Sequence, residues 1–203
     1  FAHPTFSADG QDHRLPYDKG ADYTTQVQQS FASSLEHLNT DTLDSYVLHG
    51  PLTRDGLADG DREVWRAMEA IASEGKTKAL GISNVSLAQL EALESFAEIQ
   101  PSYVQNRCYA RRGWDRDVRA FCRERGIVYQ GFSLLTANRE EVASPELAEV
   151  AKRCGKTPAQ VVFRFAMQVG MLPLTGTTDP EHMSEDLGAL EFRLDDGDVS
   201  AIE

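Results

Sequence analysis

The feature that most constrains the fold is an alternation. Short apolar stretches, read as strands over 43–48, 79–82, 103–105, 127–130 and 171–174, are separated by stretches with helical periodicity. Single strands that each return over a helix cannot pair as hairpins, so they build βα units and a parallel sheet. The helical stretches carry their own punctuation. Val27, Phe31, Leu35 and Leu38 fall on one face, as do Val64, Met68 and Ile71 ahead of a stop at Gly75. Ser86 with Gln89 forms a capping box, and Thr157, Pro158 and Gln160 combine an N-cap, a helix-starting proline and a capping-box partner. That last helix buries Val161, Val162, Phe165 and Val169 and stops at Gly170. Trp114, Val118, Phe121 and Cys122 mark a helix closed by Gly126, and Leu147, Val150 and Ala151 one closed by Gly155. A final helix opens at Asp179-Pro180, and residues 1–23 read as loop.

Two parallel architectures compete. A doubly wound sheet usually carries a glycine-rich phosphate turn in its first βα unit, and no GxGxxG occurs here. A barrel instead places polar functional residues after the C-terminal ends of several strands. His49, Ser83 with Asn84, Gln105 with Asn106, Ser133, and Thr175 with Thr177 follow that pattern. About five strands are visible and closure needs eight, so the expectation is one partial (β/α)8 barrel domain over 1–203. The opening loop and the helix beginning at Asp198-Val199-Ser200 both read as cut ends.

Composition removes several function classes. A formal charge of −12 repels phosphate backbones, so nucleic acid is not expected as a partner. No run of about 18 apolar residues occurs, so no membrane span is expected, and no leader is visible at Phe1. Cys108, Cys122 and Cys154 are odd in number and widely spaced, without a CxxC pair. Neither a metal site nor a disulfide framework is expected, and a reducing cytoplasm is the natural compartment. Cys122, on an apolar helical face, reads as core.

With these residues assembled, the chain resembles the aldo-keto reductases. The stretch 43–51, ending Leu48-His49-Gly50-Pro51, resembles the strand that carries the family's active-site histidine. Gly81-Ile82-Ser83-Asn84 resembles their G-[IV]-S-N strand end, and Pro101 through Gln105-Asn106 their next strand. Gly131-Phe132-Ser133-Leu134-Leu135 is similar to their aromatic-Ser-Pro-Leu loop, with Leu134 in place of proline. Pro173 through Asp186 is similar to their last strand and adenosine-phosphate segment.

The resemblance implies a barrel oxidoreductase that reduces a small carbonyl substrate, aldehyde or ketone, with NADPH; NADH is the alternative. His49 would orient the carbonyl and hydrogen-bond the developing alkoxide. Ser83, Asn84 and Gln105 would hold the nicotinamide carboxamide through paired donors and acceptors. Phe132 would stack on the nicotinamide, and Ser133 and Leu135 would pass the pyrophosphate. Thr177, Thr178 and His182 would meet the adenosine ribose and its 2′-phosphate, and Glu185 and Asp186 the adenine. Many relatives place Lys at position 176 and Arg at position 182, where this chain has Gly176 and His182. Free amides at the helix opening at Pro180 would add a positive dipole end there.

Aligned this way, Phe1 falls just after the third barrel strand. The family's catalytic aspartate, tyrosine and lysine would then lie upstream, and the 203 residues alone would be inactive. Tyr17, Asp18 and Lys19 are not substitutes, because consecutive residues in a solvated loop cannot converge as residues from separate strand ends do. His3 and His13 read as loop residues. The competing reading is a non-catalytic, family-like subunit that holds cofactor without turnover, as a cofactor-binding or regulatory module. The sequence leaves the oligomeric state open.

Overall fold

The computed structural model describes residues 15–203; His3, His13 and the first part of the expected loop lie outside them. The helices are α1 Tyr23–Leu38, α2 Asp59–Ser73, α3 Leu87–Glu94, α4 Arg116–Glu124, α5 Arg139–Val142, α6 Pro145–Cys154, α7 Pro158–Gln168, α8 Pro180–Gly188 and α9 Asp196–Ile202. The strands are β1 Tyr46–Leu48, β2 Leu80–Ser83, β3 Tyr103–Arg107, β4 Val128–Phe132 and β5 Leu172–Pro173. They form a five-stranded sheet in sequence order. β1 pairs parallel to β2, with Val47 opposite Gly81, and β4 parallel to β5, with Gln130 opposite Leu172. The chain divides into two compact units within β3, one up to Val104 and one from Gln105 to Glu203.

Local signals place most ends. Ser86 and Thr157 each accept from the amide three residues on, with Gln89 and Gln160 answering back. α6 ends on Gly155 at φ 62°, a left-handed conformation that costs glycine little.

Several boundaries moved. Leu43 belongs to no strand and makes only an isolated parallel bridge with Thr77. Asp44, next along, points its carboxylate outward to Lys78 Nζ at 2.7 Å, so regular pairing begins only at Tyr46. β5 is two residues long, and Leu174 N still donates to Gly131 O at 2.8 Å just beyond it. The short α5 was not anticipated.

Trp114 is buried as expected, but not on a helical stripe. It stands in a 3₁₀ segment, Ala110–Asp115, where Gly113, Trp114 and Asp115 have φ of 65°, 53° and 53°. This reversal tucks the indole inward, with Nε1 donating to Ile202 O at 2.8 Å and the ring 5.2 Å from Phe165. Left-handed geometry costs a non-glycine residue roughly 1–2 kcal/mol, which burial of so large a ring can offset.

In the first unit the core lies between sheet and helices: Val27 and Phe31 from α1, Val64, Trp65 and Met68 from α2, and Leu80 and Ile82 from β2. Glu69 accepts from the amides of Glu98 and Ile99 at 2.7 and 2.9 Å and so fixes the approach to β3. In the second unit Tyr129, Leu134, Val161, Phe165 and Leu194 are buried. Burial pushes the thiols of Cys108 and Cys122 up to about 12, the behaviour of core cysteines rather than nucleophiles. No helix among the described residues is long and apolar enough to cross a membrane.

Arg119, 5% exposed, ties the second unit's C-terminal helix to its core. It donates to Trp114 O at 2.7 Å, Val169 O at 2.8 Å and Glu203 Oε1 at 2.6 Å. The hydrogen bond from Arg119 holds the Glu203 carboxyl below its ordinary value. A group with a depressed folded-state pKa stabilises fully above its unfolded value, about 4.3 for Glu, and loses that contribution as pH falls through the folded one. Urea midpoints measured at neutral pH and well below pH 4 should therefore differ less for Glu203→Gln than for the parent. An unchanged difference would remove the pair from acid sensitivity.

Candidate active site

In the first unit the strand alternation brings expected residues together. A Cβ built on Gly81 would lie 2.9 Å from Tyr103 O and 3.1 Å from Val47 Cγ2, so Val47 and Gly81 look onto the same face. Two residues further on, the same alternation carries His49 and Ser83 to that face at the C-terminal ends of β1 and β2. Ser83 is buried, His49 half-buried and Asn84 exposed. Asn84 has φ 53°, which turns the chain out of β2 immediately after the strand. Its Nδ2 donates to His49 O at 2.8 Å and to Ser83 Oγ at 3.1 Å. Both amide hydrogens thus clamp two strand ends together, and Oδ1 is what Asn84 offers a ligand.

The loop after His49 is held by two side chains whose role the sequence did not reveal. Buried Asp61 accepts from Leu52 N at 2.7 Å and Ala58 N at 2.8 Å. Gln89, beyond its capping box, donates to Thr53 O and Gly56 O, both at 2.9 Å. For Asp61 the usable signal was an acidic residue just ahead of the Val64 stripe; for Gln89 there was none, since its partners lie over 30 positions away.

In the second unit β3 runs on to Arg107, so Gln105 and Asn106 lie within the strand and point to opposite faces. Gln105 donates to Gln130 Oε1 at 3.0 Å, which puts Gln105, Gln130 and, two residues on, Phe132 on one face. Asn106 goes the other way and donates to Asp115 Oδ2 at 2.9 Å, as Tyr129 does at 2.8 Å. Asn106 therefore leaves the set of strand-end functional residues and serves the packing behind the sheet. Burial drives the Tyr129 phenol upward, so it stays a neutral donor to that carboxylate.

Phe132 ends β4 half-buried, and Ser133 turns the chain at φ 56°. Leu134 is buried. The turn is set by Ala137 N donating to Ser133 O at 2.9 Å and by Asn138. Asn138, 1% exposed, donates to Cys108 O and Leu134 O and accepts from Ala110 N. Nothing in the sequence singled it out.

The segment after β5 differs from expectation at one point. Asp179 caps α8 with its own carboxylate, accepting from Glu181 N at 2.8 Å. The helix N-terminus is thus already partly served by an anion. Thr177 Oγ1 accepts from Asp179 N at 3.1 Å, and Thr175 donates to Asp186 Oδ2 at 2.7 Å. Thr178 and His182 are exposed, and Glu185 is half-buried with its carbonyl accepting from Gln160. A separate cavity of about 510 Å³ in this unit is lined by Trp114, Leu147, Val150 and Val162 among others, and by none of the expected site residues.

At the strand ends of the first unit Ser83 brings a hydroxyl and Asn84 an amide oxygen, and in the second unit Gln105 brings an amide and Phe132 a half-buried ring, the kinds of group that can meet a carboxamide and an aromatic ring. In the segment after β5 no lysine or arginine stands between Arg164 and Arg193, and Asp179 and Asp186 add carboxylates.

Comparison with known proteins gives the family. Residues 15–203 match the profile of the aldo/keto reductase family. An uncharacterised oxidoreductase of Bacillus subtilis is 31% identical over 175 residues, 86% of this chain and 60% of its own length. A glyoxal reductase of the same organism is 29% identical over 174 residues, with the same coverage. An aldo/keto reductase structure from Brucella melitensis superposes at a TM-score of 0.77 with 27% identity, covering 87% of this chain and 66% of that one. An aldo-keto reductase complexed with NADPH shares the fold at a TM-score of 0.78 with 22% identity, covering 93% and 60%. The chain spans about 60% of the length of the curated relatives it matches. Its five parallel strands are an incomplete barrel of that fold, and the chain belongs to the aldo/keto reductase family.

Proposed function

We propose that the whole protein is a nicotinamide-dependent oxidoreductase that reduces aldehydes or ketones to alcohols. The observation that carries this reading is the pairing in the first unit. His49 and Ser83–Asn84 end adjacent parallel strands and are tied by the 2.8 Å bond from Asn84 to His49 O, within a chain of this family.

The cofactor would supply the hydride. The residues of this chain would do the holding and orienting. Ser83, Asn84 and Gln105 hold the carboxamide, Phe132 covers the ring, and Ser133 and Leu135 border the pyrophosphate. Thr177, Thr178 and His182 meet the adenosine ribose, and Glu185 and Asp186 the adenine. His49 orients the substrate carbonyl and donates a hydrogen bond to its oxygen as charge develops there. The proton comes from a tyrosine tuned by lysine and aspartate, for which no position of this sequence matches the family pattern. NADPH is what the resemblance implies and NADH the alternative; the adenosine end decides between them. The free cysteines, two of them buried, suit a reducing cytoplasm.

The test uses protein made from its full reading frame. Quenching of its tryptophan fluorescence is titrated with NADH and NADPH, then turnover is followed with a reactive aromatic aldehyde. Saturable binding with turnover is expected. Silence toward both cofactors would sink the reading, and binding without turnover would favour a non-catalytic subunit.

A further inference from the structure

We infer that the adenosine end of this protein selects against a 2′-phosphate, so that NADH binds more tightly than NADPH. The inference rests on the cofactor reading above and concerns only which dinucleotide that site takes.

Charge is the first argument. No lysine or arginine occurs between Arg164 and Arg193, while Asp179, Glu181, Glu185 and Asp186 all lie in the segment assigned to the adenosine end. A 2′-phosphate is close to a dianion at neutral pH. In water-like surroundings a like-charge contact at about 4 Å costs roughly fivefold in affinity, less with salt.

The second argument is the fate of the donors. A helix N-terminus attracts phosphate because its first amides are unpaired and its dipole is positive there. In α8 the Asp179 carboxylate already takes the Glu181 amide at 2.8 Å and neutralises that end. The Asp179 amide is turned into Thr177 Oγ1 at 3.1 Å. The Thr175 hydroxyl is spent on Asp186 Oδ2 at 2.7 Å. A phosphate, which needs donors, arrives where acceptors predominate. A ribose 2′-hydroxyl can donate, and carboxylates are what it can donate to.

Space is not what excludes the phosphate. A Cβ built on Gly176 meets nothing within 4 Å, and Gly176 does not need a left-handed φ. A lysine there has room, so the lack of a cation is a matter of residue identity and can be reversed.

The experiment is calorimetric titration of the full-reading-frame protein with NADH and NADPH, and with adenosine 5′-monophosphate and adenosine 2′,5′-bisphosphate as probes of the adenosine end alone. NADH should bind at least roughly tenfold more tightly than NADPH, and the monophosphate more tightly than the bisphosphate. Gly176→Lys combined with Asp179→Ser, where serine keeps an N-cap, should shift the NADPH-to-NADH affinity ratio toward NADPH by at least roughly tenfold. Thermal melts confirm that the variant is folded. Parent protein that binds NADPH as tightly as NADH overturns the inference and leaves the cofactor reading standing. An unshifted ratio in the folded variant also overturns it. Failure to bind either dinucleotide takes down the cofactor reading, and this inference with it.

Discussion

Made on their own, the 203 residues are expected to reduce a reactive aromatic aldehyde at least roughly 10²-fold more slowly than protein from the full reading frame. A positioned general acid contributes roughly 10²–10⁴-fold, and the proposed function places the family's tyrosine donor outside these residues. Tyr17 comes closest by type. It is buried rather than solvated, a correction to its reading as an exposed loop residue, and burial pushes its phenol up to about 12. A donor needs its pKa brought toward the working pH, and this shift runs the other way. Asp18 turns its carboxylate back to the Gly20 amide at 2.8 Å. In the proposed function His49 polarises the carbonyl, which is a different task from donating the proton. Loss of the reduced-nicotinamide absorbance with nitrobenzaldehyde measures both proteins side by side. Equal turnover would mean that the proton donor lies within these residues, with His49 and the Tyr17 loop the places to look.

Replacing Asn138 with alanine is expected to destabilise the protein by about 3 kcal/mol, roughly a hundredfold in the folded-to-unfolded ratio. The side chain is 1% exposed and serves three backbone groups at once: Cys108 O at 3.0 Å, Leu134 O at 2.8 Å and Ala110 N at 2.8 Å. Truncation leaves all three without a partner in the interior. An unmet buried polar group costs about 1–3 kcal/mol, partly relieved where water enters the gap. The loss falls where the loop after β4 meets the end of β3, so Ser133 and Leu135 should loosen before the rest of the unit. Urea unfolding followed by tryptophan emission gives the energy, and amide exchange at Ala137 shows the loop opening. A cost under about 1 kcal/mol would mean that the backbone finds other partners and that Asn138 does not set this loop.

The sequence by itself determined the five strands, most of the helices and their order; the short α5 and the 3₁₀ segment at Trp114 were not legible in it. The Ser86–Gln89 and Thr157–Gln160 boxes and the Gly155 stop depend on backbone groups within a turn, so residue type and spacing were sufficient. Alternating strands and helices left little but a parallel sheet. What a side chain does with its donors was decided only in three dimensions. Gln105 and Asn106 were read together, yet the pleat of a longer β3 sent one to Gln130 and the other to Asp115. Trp114 had helical spacing to Val118, but a left-handed turn and a bond to Ile202, 88 residues away, placed it. Asn84 reads as a ligand-facing amide, and His49 O, 35 residues back, takes its donor. Asp179 reads as a helix cap, and the tertiary structure adds that its amide goes to Thr177 Oγ1 while Thr175 donates to Asp186. Local rules operate within about one helical turn or one strand pair. The competition for many hydrogen-bonding groups is settled beyond that range, from 9 positions for Asn106 and Asp115 to 88 for Trp114 and Ile202, which no local pattern encodes.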